Sequence, residues 1–215
     1  MHKAGQQLII LMVWLFALPT MALADKVEYD EGIEYQLVIP EQATVDSNKI
    51  EVLEIFWYGC PHCHRLEPLL EKWIKQQKDD VVFVRLPALL NPQWETFVRA
   101  YYTAQLLGVL DRIHRPLFDA IHIKKQNLNG EAALARFFAE FGVDKDLFHK
   151  TYNSFGVMTK VNQARQMTRR YGISGVPTMI VNGKYKTSAR LTGGHRGMLK
   201  AVDYLVEMER KKKTR

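Results

Sequence analysis

Ile50-Glu51-Val52-Leu53-Glu54-Ile55-Phe56-Trp57, running on into Tyr58-Gly59-Cys60-Pro61-His62-Cys63, is the stretch that decides how this chain is read. Its first half is nearly continuous in apolar and β-branched residues, the pattern of a central strand buried on both faces. Tyr58-Gly59 then turns the chain. From Cys60 to about Gln77, Cys63, Leu66, Leu70, Trp73 and Ile74 recur at helical spacing. A strand therefore runs directly into a helix, with Cys60 at the junction.

Working outward, Tyr35 to Ile39 reads as a short edge strand stopped by Pro40. Val81-Val82-Phe83-Val84-Arg85-Leu86 reads as a second buried strand ended by Pro87. No strand signal follows until Thr178. Asn91-Pro92 opens a helix through Trp94, Phe97, Val98 and Tyr101 that Gly108 closes, and Asp111 begins another through Ile113, Leu117 and Ile121. Asn129 is the expected cap of a third, ending near Gly142; Asp144 caps a fourth, and a fifth runs to Tyr171-Gly172. Gly175-Val176-Pro177 then leads into Thr178-Met179-Ile180-Val181, Asn182-Gly183 is a two-residue hairpin turn, and a last helix carries Met198, Leu199, Val202 and Leu205. The predicted order is β-β-α-β, a helical block, then β-β-α.

Met1 to Ala24 stands apart. His2 and Lys3 precede an apolar run from Leu8 to Leu18, a Pro19 break and Ala22-Leu23-Ala24, the layout of a secretory signal peptide with cleavage expected before Asp25. The run is short for a membrane span, which takes about 20 residues, and no cysteine follows it to carry a lipid. A soluble exported product is expected. The chain of 215 residues, 47% apolar, is long enough to bury a core as one domain with an insertion. Its net charge of +7, or +6 without Lys3 of the leader, is concentrated in the tail from Arg210 to Arg215. That tail reads as a solvated terminus rather than a nucleic-acid site, since an exported protein rarely meets nucleic acid.

The chain has 2 cysteines, Cys60 and Cys63. A bridge between them would close so short a loop that it would hardly constrain the unfolded chain, so reactivity is the better reason to have it. The reactive species is a thiolate, and a helix start stabilises one through unpaired N–H groups and the positive end of the dipole. Pro61 suits the first helical turn, where its missing N–H costs nothing, and His62 can add a donor or a positive charge. Cys63 lies one turn further in and is less exposed. Cys60 is thus the attacking and attacked sulfur, Cys63 the resolving one. A stabilised thiolate favours the reduced protein, which makes the disulfide an oxidant. The spacing alone leaves two other readings: Cys60-Pro61-His62-Cys63-His64 also fits a covalent c-type haem site, and Cys60, Cys63 and His64 could contribute to a zinc site, although a second cysteine pair is missing. Otherwise His62 and His64 read as solvent-facing helix residues, and His114, His122, His149 and His195 form no pattern.

Phe56-Trp57-Tyr58-Gly59-Cys60-Pro61-His62-Cys63, taken with Gly175-Val176-Pro177-Thr178 and Asn182-Gly183-Lys184-Tyr185, resembles the periplasmic disulfide-bond protein A (DsbA) family over most of the chain after the leader. The resemblance implies an α/β thioredoxin fold with an inserted all-helical domain: signal peptide 1–24, thioredoxin-like segments 25–87 and 172–215, helical insertion 88–171. It implies a disulfide donor for unfolded or newly secreted cysteine-containing proteins, re-oxidised by a membrane quinone-linked DsbB-type partner, without a cofactor or metal. It also implies a cis bond before Pro177, with the Val176 backbone positioned to pair with an extended substrate. Strand alternation puts Glu54 on a buried face, where a carboxylate is costly unless paired or useful; the resemblance implies a proton relay for Cys63, and a structural ion pair is the alternative. Glu67 matches a second acidic position of the family but reads as part of a solvated helix face. Residues 25–49 are too few for a separate dimerisation domain of at least about 50 residues, so a monomeric oxidase is expected rather than a dimeric isomerase. A peptide-binding chaperone without catalysis is the remaining alternative.

Overall fold

A computed structural model describes residues 28–213. The expected signal peptide lies outside the described residues, as do Thr214 and Arg215 of the tail. The chain begins with β1 (Gln36–Leu37), β2 (Ile50–Phe56), α1 (Pro61–Lys75) and β3 (Val81–Pro87). A 3-10 turn (Pro92–Trp94) then leads into α2 (Glu95–Leu106), α3 (Leu110–His122), α4 (Glu131–Ala139), α5 (Lys145–Tyr152) and α6 (Phe155–Arg170). β4 (Thr178–Val181), β5 (Tyr185–Ser188) and α7 (His195–Lys213) complete it. The sheet order is β1-β5-β4-β2-β3, with β2 parallel to β3 and antiparallel to β4. This is a thioredoxin fold with a helical block inserted between β3 and β4.

β2 sits inside the sheet and is buried along its whole length, as its apolar run requires. On one face Val52 packs with Leu66 and Leu70 of α1 and Val202 and Leu205 of α7. On the other, Leu53 and Ile55 meet Tyr171, Ile173 and Ile180. The helical block builds its own core around Phe118, Phe138 and Phe148, and this core reaches Phe56, Tyr58 and Cys63. The block is therefore packed over the end of β2, where Cys60 and Cys63 lie.

Three expectations change. β3 is only half-buried because it is the edge strand, and apolar composition does not distinguish an edge from a centre. The segment opened by Asn91-Pro92 begins as a 3-10 turn, with α-helix only from Glu95. Gly130 rather than Asn129 caps α4, in an extended conformation at φ 157° that a side chain disfavours. The Asn182-Gly183 turn forms as read, with φ of 51° and 68°. At Gly183 a Cβ would lie 2.0 Å from the Gln42 carbonyl oxygen, so the turn admits only glycine there.

Candidate active site

The turn into α1 is shaped by Trp57, whose ring folds over Gly59 so closely that a Cβ there would lie 2.3 Å from it. The Trp57 ring also stacks on Trp94 at 4.2 Å with 3° between planes. This turn delivers Cys60 to the N-cap of α1, in extended conformation, with Pro61 in the first turn and no acidic residue beside it. The Cys63 N–H donates to Cys60 Sγ at 3.4 Å, and the Cys60 thiol faces the Val176 carbonyl oxygen at 3.4 Å. The Val176–Pro177 peptide bond is cis.

The two sulfurs differ sharply. Donation from the Cys63 thiol, then the N–H groups of Cys63 and His62 and the nearby His62 ring, pull Cys60 down to about 6 against the opposing cost of burial. Cys63 is fully buried, and burial first, then its donation to Cys60, pushes its thiol well above the ordinary range. Cys60 is itself only 8% exposed and is the sulfur that more readily becomes a thiolate.

Behind Cys63 lies a buried ionic chain. Register in the parallel pair sets Arg85 of β3 beside Glu54 of β2. Arg85 Nε donates to Glu54 Oε2 at 3.1 Å and Nη2 to Glu67 Oε2 at 3.1 Å. Glu67 Oε1 accepts from His114 Nε2 at 3.3 Å, and the Tyr58 hydroxyl lies 2.8 Å from His114 Nδ1. A carboxylate only accepts, so the pattern assigns the His114 proton to Nε2 and makes Tyr58 the donor to Nδ1. Burial pushes His114 below its usual value, so the ring is neutral near neutral pH. One guanidinium thus stands between two carboxylates and can balance only one. Burial raises Glu67, but the His114 hydrogen bond and the Arg85 charge outweigh it and hold Glu67 low. Burial and the neighbouring Glu67 charge instead push Glu54 up to about 8, and Glu54 Oε1 has no hydrogen-bond partner among the described residues. Of the two carboxyls, Glu54 is the one that holds a proton more readily.

A groove of about 610 Å³ opens beside Cys60, lined by His62, Val176, Pro177, Arg190 and His195 among others. The family model for the DsbA-like thioredoxin domain matches residues 51–198. The chain is 39% identical over 197 residues to the thiol:disulfide interchange protein DsbA of Azotobacter vinelandii, covering 91% of this chain and 92% of the relative.

It belongs to the DsbA family.

The DsbA of Pseudomonas aeruginosa is 40% identical over 183 residues, covering 85% of this chain and 87% of that one. The crystal structure of P. aeruginosa DsbA superposes with a TM-score of 0.82, spanning 87% of this chain and 97% of that one at 40% identity. A DsbA oxidoreductase of Neisseria meningitidis, 26% identical, superposes at 0.75, spanning 86% of this chain and 96% of that one. With the DsbA family comes thiol–disulfide oxidoreductase activity.

Of the residues singled out in the sequence, Cys60, Pro61, His62, Val176 and Pro177 converge at the mouth of this DsbA-like site, Cys63 is buried beneath Cys60, and Glu54 lies behind it. Two readings are corrected. Glu67 is not a solvated helix residue: it is fully buried and held by Arg85 and His114. His64 is not solvent-facing either, since Asp119 holds its Nε2 at 2.8 Å and its ring stacks on His122 at 5.0 Å. His114, Tyr58 and Arg85 were missed altogether. A signal existed: Glu67 falls on the stripe of Cys63, Leu66 and Leu70, and His114 on that of Ile113, Leu117 and Phe118.

Proposed function

We propose that this oxidoreductase is a periplasmic donor of disulfides to newly exported, cysteine-containing proteins, acting as a monomer. The observation that carries the reading is the unequal placing of the two sulfurs: Cys60 caps the start of α1, accepting the Cys63 N–H and lying 3.4 Å from the Val176 carbonyl, while Cys63 is fully buried, which lowers the first thiol and raises the second. A substrate thiolate attacks Cys60 Sγ; the Cys60–Cys63 bond breaks and its electron pair passes to Cys63. Glu54 supplies the proton that Cys63 needs on departure and recovers it when the disulfide is remade. A second substrate thiolate then attacks the substrate sulfur of the mixed disulfide, and Cys60 leaves as its stabilised thiolate, an efficient leaving group. The two electrons end on the enzyme dithiol, so the exchange balances without a cofactor. Val176 pairs with the extended substrate backbone beside Pro177. A membrane quinone-linked partner of the DsbB type accepts the electrons and restores the disulfide.

Thermal unfolding of the two redox forms tests the direction of transfer. A depressed thiol pKa stabilises the reduced protein at pH above its unfolded value, and that contribution is lost as pH falls through about 6. Near neutral pH the reduced form is expected to melt higher than the oxidised one. An oxidised form that melts higher, or a reduction potential against glutathione in the range of cytosolic reductants, overturns the donor reading.

A further inference from the structure

The groove beside Cys60 carries charge of one sign. Among the described residues, none that lines it is Asp or Glu, and Arg190 stands exposed on its rim and forms no ion pair. His62 and His195 face each other across it, edge to face at 6.4 Å, and Arg65 Nη2 donates to His62 Nδ1 at 2.9 Å, adding a second guanidinium at its edge. Burial, then His62 and Arg65, keep His195 below its usual value, while the guanidinium groups of Arg190 and Arg65 are charged at any working pH. Two helices also begin here: α1 at Cys60-Pro61 and α7 at Gly194-His195, each presenting the positive end of its dipole. The thiolate of Cys60 offsets this field in the reduced enzyme. In the oxidised enzyme, the form that meets a substrate, the field is unbalanced.

From this arrangement we infer that Arg190 makes the groove selective for cysteine segments that carry an Asp or Glu a few residues from the reacting cysteine. The inference rests on the thiol-exchange reading of Cys60. An extended segment lying along Val176 advances about 3.3 Å per residue, so a carboxylate within a few residues of a cysteine at Cys60 stays inside the groove. Attraction of this kind acts mainly on the rate of association and is screened by salt.

The experiment uses the oxidised full-length mature protein and two monothiol peptides that differ only in glutamate or glutamine near the cysteine, with glutamate placed in turn on each side. Mixed-disulfide formation is followed by stopped flow. A neighbouring glutamate also lowers the thiolate fraction of the peptide, so each rate is divided by that of the same peptide with a small neutral disulfide. The acidic peptide is expected to react about fivefold faster at low salt. The ratio falls toward 1 in Arg190→Gln, inverts in Arg190→Glu and is kept in Arg190→Lys. Equal corrected rates for the two peptides with wild-type protein, or a ratio unchanged in Arg190→Glu, overturn the inference while leaving the exchange activity standing. Failure of both peptides to form any mixed disulfide with Cys60 overturns the exchange reading, and the selectivity with it.

Discussion

Glu54 and Glu209 are both buried glutamates with a cation at hydrogen-bonding distance, and their proton affinities move in opposite directions. Glu209 of α7 accepts from Asn182 at 2.6 Å, Lys184 at 2.9 Å, Tyr185 at 3.1 Å and Lys212 at 3.1 Å. Burial works against its charge, but those donors outweigh it and hold the carboxyl down at about 2. Glu54 shares its single cation with a second carboxylate and leaves one oxygen unpartnered, so burial prevails and the group rises to about 8. Two cations and two neutral donors around one carboxylate make a clamp, here fastening the Asn182-Gly183 hairpin to the last helix. One cation between two carboxylates leaves a proton that can be given away.

The contrast is broken or sharpened first by removing each carboxyl. In Glu54→Gln the amide cannot deliver a proton to Cys63, and mixed-disulfide formation by the oxidised enzyme should slow by about tenfold or more. Glu209→Gln should leave that rate unchanged; stopped-flow exchange with a cysteine peptide reads both, and equal rates for Glu54→Gln and wild type would remove Glu54 from the proton path. Stability should respond the other way. Glu209→Gln leaves Lys184 and Lys212 without their counter-ion, and because both reach solvent the cost is about 2 kcal/mol, read as a lower melting temperature. Glu54→Gln keeps the Glu67–Arg85 pair balanced and should raise the melting temperature near neutral pH. The pH windows separate the two as well. Glu209 has a depressed folded pKa, so its contribution is present above the ordinary carboxyl value and disappears as pH falls through about 2. Glu54 has a raised one: the unfolded chain releases that proton first, so stability declines as pH climbs from the ordinary carboxyl value toward about 8. Denaturation midpoints of each glutamine variant, subtracted from wild type across pH, should slope only in these two separate ranges.

How much of this was legible in the sequence follows the same division between local and tertiary causes. The strand-turn-helix around Gly59, the N-terminal position of Cys60 and the Asn182-Gly183 hairpin are set by neighbours in the chain, and each was read from residue order. The edge position of β3 depends on which strands pair, and Val81 to Leu86 look the same in either place. Glu67 was misread because a lone carboxyl on a helix is usually solvated, and what buries it comes from β3 and α3, remote in sequence. His114 was passed over for the same reason. In both cases the polar residue sits within an apolar stripe, which announces burial but cannot name the partner.

His114 allows the smallest and most discriminating of these tests. Its donation to Glu67 is part of what directs the Arg85 charge to Glu67 rather than Glu54. In His114→Leu that donor is lost, Glu67 rises, and the proton becomes more evenly shared between the two carboxyls, so the upper limb of the pH–rate profile of exchange should move to lower pH by less than about one unit. The same change strips the Tyr58 hydroxyl of its acceptor and should cost about 1–3 kcal/mol of stability. His114→Gln keeps both interactions, because its amide can accept from Tyr58 through oxygen and donate to Glu67 through nitrogen. If His114 acts by positioning the charge, glutamine restores both the profile and most of the stability. A profile that stays at its wild-type position in the leucine variant, despite a lower melting temperature, would make His114 a packing residue and leave Arg85 alone to divide the two carboxylates.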